Sequence, residues 1–126
     1  MRAKAAPWIW KISFARRIHG VTEHKSSILW SPEALNDIDH LWDYYAGVAG
    51  RATADKMMLE IGKAVAAIDD FPRAGRARDE IRAGLRSLTA TPQIVFYRLK
   101  DDRPEIVRVL DGRQDIEEIF SNGENG

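Results

Sequence analysis

An α+β domain is predicted by three observations about the order of patterns along the chain. Apolar residues recur every three or four positions over residues 32–70 and every second position over 84–110. The helical stretch is broken once, between Gly47 and Gly50, and the strand stretch is broken by short polar turns. Helices grouped before strands favour a helical hairpin covering one face of a mostly antiparallel sheet, in the order β-α-α-β-β-β with the first strand N-terminal to the hairpin.

Each element has a local reason. "ILW" (28–30) reads as a short strand, after which Ser31 is an N-cap, Pro32 takes the first helical position and Glu33 lies in the first turn, where the helix dipole favours a negative charge. Leu35, Ile38, Leu41, Trp42 and Tyr45 form the inner stripe of this helix, and Asn36, Asp37, Asp39, His40 and Asp43 are expected to face water. A second helix over 52–70 turns Met57, Met58, Ile61, Ala64, Val65 and Ile68 inward. Pro72 and Gly75 end the helical periodicity. Strands follow at 84–90, 93–99 and 105–110, the last two joined by a charged turn at Lys100–Pro104. In 93–99, Ile94, Phe96 and Arg98 face one way and Val95, Tyr97 and Leu99 the other, so one face is expected to be buried and the other to tolerate arginine. Gln114–Phe120 has room for a last helical turn.

The boundaries expected are a leader or extra strand at 1–27, the domain proper at 28–120 and a tail at 121–126. In the leader, Trp8, Trp10, Ile12 and Phe14 alternate with Ile9, Lys11 and Ser13. Leaving that stripe in water costs roughly 1.5–3 kcal/mol per large side chain, so it is expected to dock as an extended strand against an exposed sheet edge or a partner-binding groove of this domain, in its own chain or a neighbouring copy.

Composition narrows the functions. With 126 residues and no cysteine, the chain is one domain with a modest core, without disulfides, thiolate metal sites or a cysteine nucleophile. No apolar run approaches the ~20 residues of a membrane span, and a cytoplasmic location is expected. The net charge is zero but unevenly spread: residues 28–70 carry three Lys/Arg against eight acids, and 71–113 carry ten against six. Phosphate-cradling glycine motifs, a nucleophile elbow and the H-E-x-x-H zinc motif are all missing. His19, His24 and His40 are scattered, so neither a metal nor a cofactor is expected.

What remains is arginine. Arg73, Arg76, Arg78 and Arg82 lie in the stretch before the strands, and Arg86, Arg98, Arg108 and Arg113 on or beside them. Guanidinium groups bind carboxylates or phosphates bidentately. Each has an ordinary alternative, pairing with Asp101, Asp102, Glu105, Asp111 or Asp115 across the sheet edge. Taken together, they read as a working surface.

The series "ILWSPEALNDIDHLWDYYA", "FPRAGR", "LRSL", "IVFYRL" and "EIVRVLDGRQD" resembles, in order and spacing from Ile28 to Ile116, the ParE/RelE superfamily of toxins in type II toxin–antitoxin modules. It is closer to the ParE branch, the plasmid stabilisation proteins. Where that branch commonly has "VLHGRRD", this chain has "VLDGRQD", so Asp111 replaces a histidine and removes the nearest proton carrier to Arg108 and Arg113. Members of the family begin just before the first strand, which marks residues 1–27 as an upstream start or an added leader.

The resemblance implies a bacterial toxin that is not an enzyme, that inhibits DNA gyrase and that is neutralised by a ParD-like antitoxin, in a heteromeric complex or as a homo-oligomer. Direct nucleic-acid binding is not expected. Arg76, Arg86, Arg98, Arg108 and Arg113 are the residues assigned to the target or the antitoxin, with Arg113 and Asp115 fixing the C-terminal turn. Two alternatives stay open. In a ribosome-dependent mRNA endonuclease of the RelE kind, Tyr97 and Arg86 are the catalytic candidates, although a phenol with an ordinary pKa near 10 is a poor base. The other alternative is an inactive, toxin-derived binding module.

Overall fold

The computed structural model describes residues 28–123, so the strand expected in the leader and the last three residues of the tail lie outside the described residues. The elements are β1 (Leu29–Trp30), α1 (Pro32–Ala49), α2 (Arg51–Asp70), β2 (Arg76–Ala77), β3 (Arg86–Ala90), β4 (Gln93–Lys100), β5 (Arg103–Asp111) and α3 (Ile116–Gly123). They form one five-stranded sheet in the order β1-β5-β4-β3-β2, antiparallel except where β1 runs parallel to β5. The expected α+β architecture holds, with a two-residue strand, β2, that apolar periodicity does not reveal. Among the described residues no helix is long and apolar enough to cross a membrane.

Ser31 caps α1 as its sequence suggests: its backbone is extended (φ −73°, ψ 154°) and its Oγ accepts the Ala34 N–H at 3.0 Å. The same residue ties the helix to the sheet, donating through N to Ile106 O at 3.0 Å and through Oγ to Val107 O at 2.8 Å. A single residue, Gly50, joins α1 to α2, and its φ of +95° is one that side chains other than glycine rarely adopt. The chain folds back there, so that Trp42 Nε1 donates to Asp55 Oδ1 at 3.1 Å.

Both faces of the sheet are covered, where one was expected. Under the hairpin, Ile38, Met58, Ile61, Val65 and Ile68 pack with Val95, Tyr97, Ile106 and Val109; each large apolar group buried there contributes roughly 1.5–3 kcal/mol. On the other face, α3 supplies Phe120, which lies edge-on to Phe96 with ring centroids 5.1 Å apart and joins Leu85 and Leu110. Arg78 and Arg82 cover this second core, 5.6 and 5.0 Å from the Phe96 and Phe120 ring centroids.

The β4–β5 hairpin turns through Asp101 and Asp102, both at positive φ, which is the requirement of a two-residue type I′ turn. Phe96 pairs with Arg108 and Tyr97 with Ile106, leaving Val107 as the extra residue of a bulge. That extra residue resets the alternation of β5, so Ile106 and Val109 both reach the hairpin core.

Candidate functional site

β1 covers only Glu105 and Ile106 of β5, so the rest of β5 is an outer edge. Such an edge invites pairing with another chain, and here side chains occupy it. Asp37 Oδ2 accepts the Val109 N–H at 3.0 Å, and Gln114 Oε1 accepts the Asp111 N–H at 2.8 Å. Asp37 is therefore buried, contrary to the expectation that it faces water. Its carboxylate receives both Nε (2.7 Å) and Nη2 (2.9 Å) of Arg108, a bidentate pair that raises the Arg108 pKa above its ordinary value. A sign of this was present in the sequence: Asp37 stands three residues after Ala34 and four before Leu41, inside the apolar stripe.

Arg113 is bound to Asp111 rather than Asp115. Asp111 Oδ1 accepts the backbone N–H and Nε of Arg113 at 2.8 and 2.9 Å, and Oδ2 accepts Nη2 at 2.7 Å. Bonding to Arg113 is the main reason the Asp111 pKa falls to about 2, with the backbone bond and Tyr45 adding to it against partial burial. Asp115 caps α3 instead, its Oδ1 accepting the Glu118 N–H at 3.2 Å.

Between α1 and the end of β5 lies an open groove of about 570 Å³. Leu41, Tyr44 and Tyr45 supply apolar wall, and Asp37, His40, Arg108, Asp111 and Arg113 supply charge and hydrogen-bonding groups. Arg113 keeps 77% of its side chain in water although it is paired, and Tyr44 is 60% exposed. Sequence reasoning assigned no binding role to His40, Tyr44 or Tyr45. A smaller groove of about 310 Å³, bordered by Glu33, Arg98, Glu105, Arg108 and Phe120, lies at the α3 side of the same edge, where Arg98 Nε donates to Glu105 Oε1 at 2.7 Å.

Arg76 and Arg86 are placed elsewhere, on β2 and β3. Arg86 Nη1 donates to Arg73 O (3.2 Å) and Gly75 O (2.8 Å). Beneath them the fully buried Tyr97 donates its hydroxyl to Pro72 O at 2.7 Å and accepts the Gly75 N–H at 2.9 Å. Burial raises the Tyr97 pKa, outweighing the Gly75 bond and the charge of Arg86. Among the described residues no group of three or more histidines and carboxylates is placed to hold a metal ion.

Residues 28–116 match the family described as the ParE toxin of the type II toxin–antitoxin system parDE. The chain belongs to the ParE toxin family. It is 36% identical over 93 residues to Toxin ParE1 of Mycobacterium tuberculosis, spanning 73% of this chain and 95% of that toxin. Toxin ParE3 of Caulobacter vibrioides is 32% identical over 80 residues, 64% of this chain and 80% of that toxin. Among solved structures, a chain of the chromosomal ParDE system from P. aeruginosa superposes with a TM-score of 0.61 at 26% identity, covering 68% of this chain and 95% of its own. The five arginines expected to bind a partner fall in two places, Arg98 on β4 with Arg108 on β5 and Arg113 just after it, and Arg76 with Arg86 on β2 and β3.

Proposed function

We propose that this toxin acts by binding and not by cutting, that its target is DNA gyrase, and that a ParD-like antitoxin neutralises it in the cytoplasm. One observation carries the preference for binding. The hydroxyl of Tyr97 is engaged on both sides, by Pro72 O and Gly75 N, and its pKa is raised, so it is not poised to take a proton from an RNA 2′-hydroxyl. Cleavage of RNA needs such a base beside the cations. Arg86, the other catalytic candidate, has two backbone carbonyls as its partners.

The antitoxin is assigned to the groove between α1 and β5. An amphipathic segment with apolar anchors against Leu41 and Tyr44 and a carboxylate reaching the exposed side of Arg113 suits its lining. Membership of a family named for parDE, and the fold shared with a ParDE chain, support a partner of this kind.

Purified toxin added to gyrase and relaxed plasmid is expected to block supercoiling, and added to translating ribosomes it is expected to leave mRNA intact. Codon-specific cleavage at the ribosome, lost in Tyr97→Phe or Arg86→Ala, would move the toxin to the nuclease class. Absence of both effects would leave a binding module without poison activity.

A further inference from the structure

The segment Phe71–Ala77 joins the helical hairpin to the sheet, and its backbone is held more tightly than a connection requires. The Phe71 N–H donates to Ala67 O at 2.8 Å, closing α2, and the Ala74 N–H donates to Phe71 O at 2.9 Å, closing a turn. Tyr97 grips Pro72 and Gly75 from below, Arg86 grips Arg73 and Gly75 from the side, and Arg76 and Ala77 pair with Ser87 and Arg86. Only glycine fits at position 75, since a Cβ there would stand 2.6 Å from Tyr97 Cε1.

Its side chains go the other way. Phe71 is 68% exposed, the most exposed of the large apolar residues described, and Arg73 and Arg76 are exposed with it. Among the described residues neither arginine meets a carboxylate; Glu80, which lies within the field of Arg76, is bonded by Arg78 at 2.8 Å. The segment has no acid of its own, and Arg86 beneath it bonds to carbonyl oxygens that leave its charge uncancelled. A rigid backbone presenting an exposed aromatic ring and, two and five residues on, two exposed guanidinium groups has the composition of an interface hot spot and loses little entropy on docking.

We infer that Phe71, Arg73 and Arg76 form the knob by which the toxin grips its protein target, the ring entering an apolar pocket and the arginines meeting carboxylates on the rim. This rests on the reading of the target as gyrase and adds which surface of the toxin touches it. A protein suits the knob better than a nucleic acid does. Two exposed cations within a seven-residue segment do not by themselves make a track for a phosphate backbone, and the chain as a whole carries no net charge.

The test is inhibition of purified gyrase by the full-length toxin and by Phe71→Ser and Arg73→Glu/Arg76→Glu, with Lys63→Glu, on an exposed face of α2, as the control for charge alone. Each knob variant is expected to raise the half-inhibitory concentration about tenfold, the effect of losing one hot-spot contact, with the thermal midpoint unchanged and Lys63→Glu equal to wild type. Knob variants as potent as an active wild type would overturn the inference and leave the gyrase reading standing. A wild-type toxin without effect on gyrase would remove both. Retardation of a short DNA duplex by wild type, abolished in Arg73→Glu/Arg76→Glu, would overturn the inference in favour of nucleic acid.

Discussion

The outer edge of β5 and the segment at 71–77 both carry arginines and use them in opposite ways. On and beside β5, Arg98 of β4, Arg108 of β5 and Arg113 just after it each close on a carboxylate, from Glu105, Asp37 and Asp111. At the segment, Arg86 closes on carbonyl oxygens while Arg73 and Arg76 extend into water. A carboxylate cancels the guanidinium charge and fixes a helix or a turn; a carbonyl orients the group and leaves its charge to act outward. Eight arginines between residues 71 and 113 outside the β4–β5 turn are thus not one basic surface, because partner chemistry decides which of them is free to bind.

The sharpest way to break this contrast is at Asp37. Asp37→Ala leaves the largely buried Arg108 without its counter-charge and Val109 N without an acceptor, and is expected to cost about 3 kcal/mol in urea unfolding. Asp39→Ala, on the exposed side of the same helix, is expected to change stability by less than about 1 kcal/mol. Equal effects would mean that α1 is rotated from the position described.

Tyr97→Phe tests the other region. Losing the hydroxyl leaves the Gly75 N–H without its acceptor, at about 1–2 kcal/mol, and amide exchange is expected to quicken at Ala74 to Ala77 while Val109 stays protected. If the whole sheet exchanges faster instead, the hydroxyl supports the core and not the segment.

These two residues also show what the sequence could reveal. The hairpin, the three long strands and the Ser31 cap follow from local pattern, since each is determined within a few residues. The burial of Asp37 depends on Arg108, 71 positions away, and a single-helix pattern assigns a lone carboxylate to water by default. The reading that Arg113 and Asp115 fix the C-terminal turn gives way to local turn chemistry: "DGR" is an Asx turn in which Asp111 accepts the N–H two residues on, and "DIEE" frees Asp115 to cap α3. β2 leaves no mark in the sequence because its two residues are both exposed, with no alternation between them. The sequence names the five arginines but not their division into two groups, which follows from strand order.

Two smaller effects complete the comparison. The Asp111 pKa of about 2 lies below the ordinary carboxylate value of 3.8, so its bond to Arg113 contributes stability above the ordinary value that is lost as pH falls toward 2. Because Arg113 is mostly in water, that loss is expected to be small, and Arg113→Gln should remove it from the acid limb of a stability–pH curve. Glu105→Gln breaks an ion pair whose arginine is half exposed, and is expected to shift the unfolding free energy by under ~0.5 kcal/mol. A larger shift would show that the β5 edge is cooperative rather than a series of separate locks.

The pairing of β1 with β5 has a consequence in time. Ser31 bonds Val107 across 76 residues, so α1 lies over a strand made long after it. A ribosome synthesising this chain releases the helical hairpin long before the sheet that covers its apolar face, and such long-range contacts form late. Until β5 emerges, the nascent chain has neither the groove beside α1 nor a complete sheet behind the segment at 71–77. The fold is therefore complete only once β5 has been made, and a chain that stops before Ile106 lacks both carbonyls that hold Ser31 and the strand beneath α1.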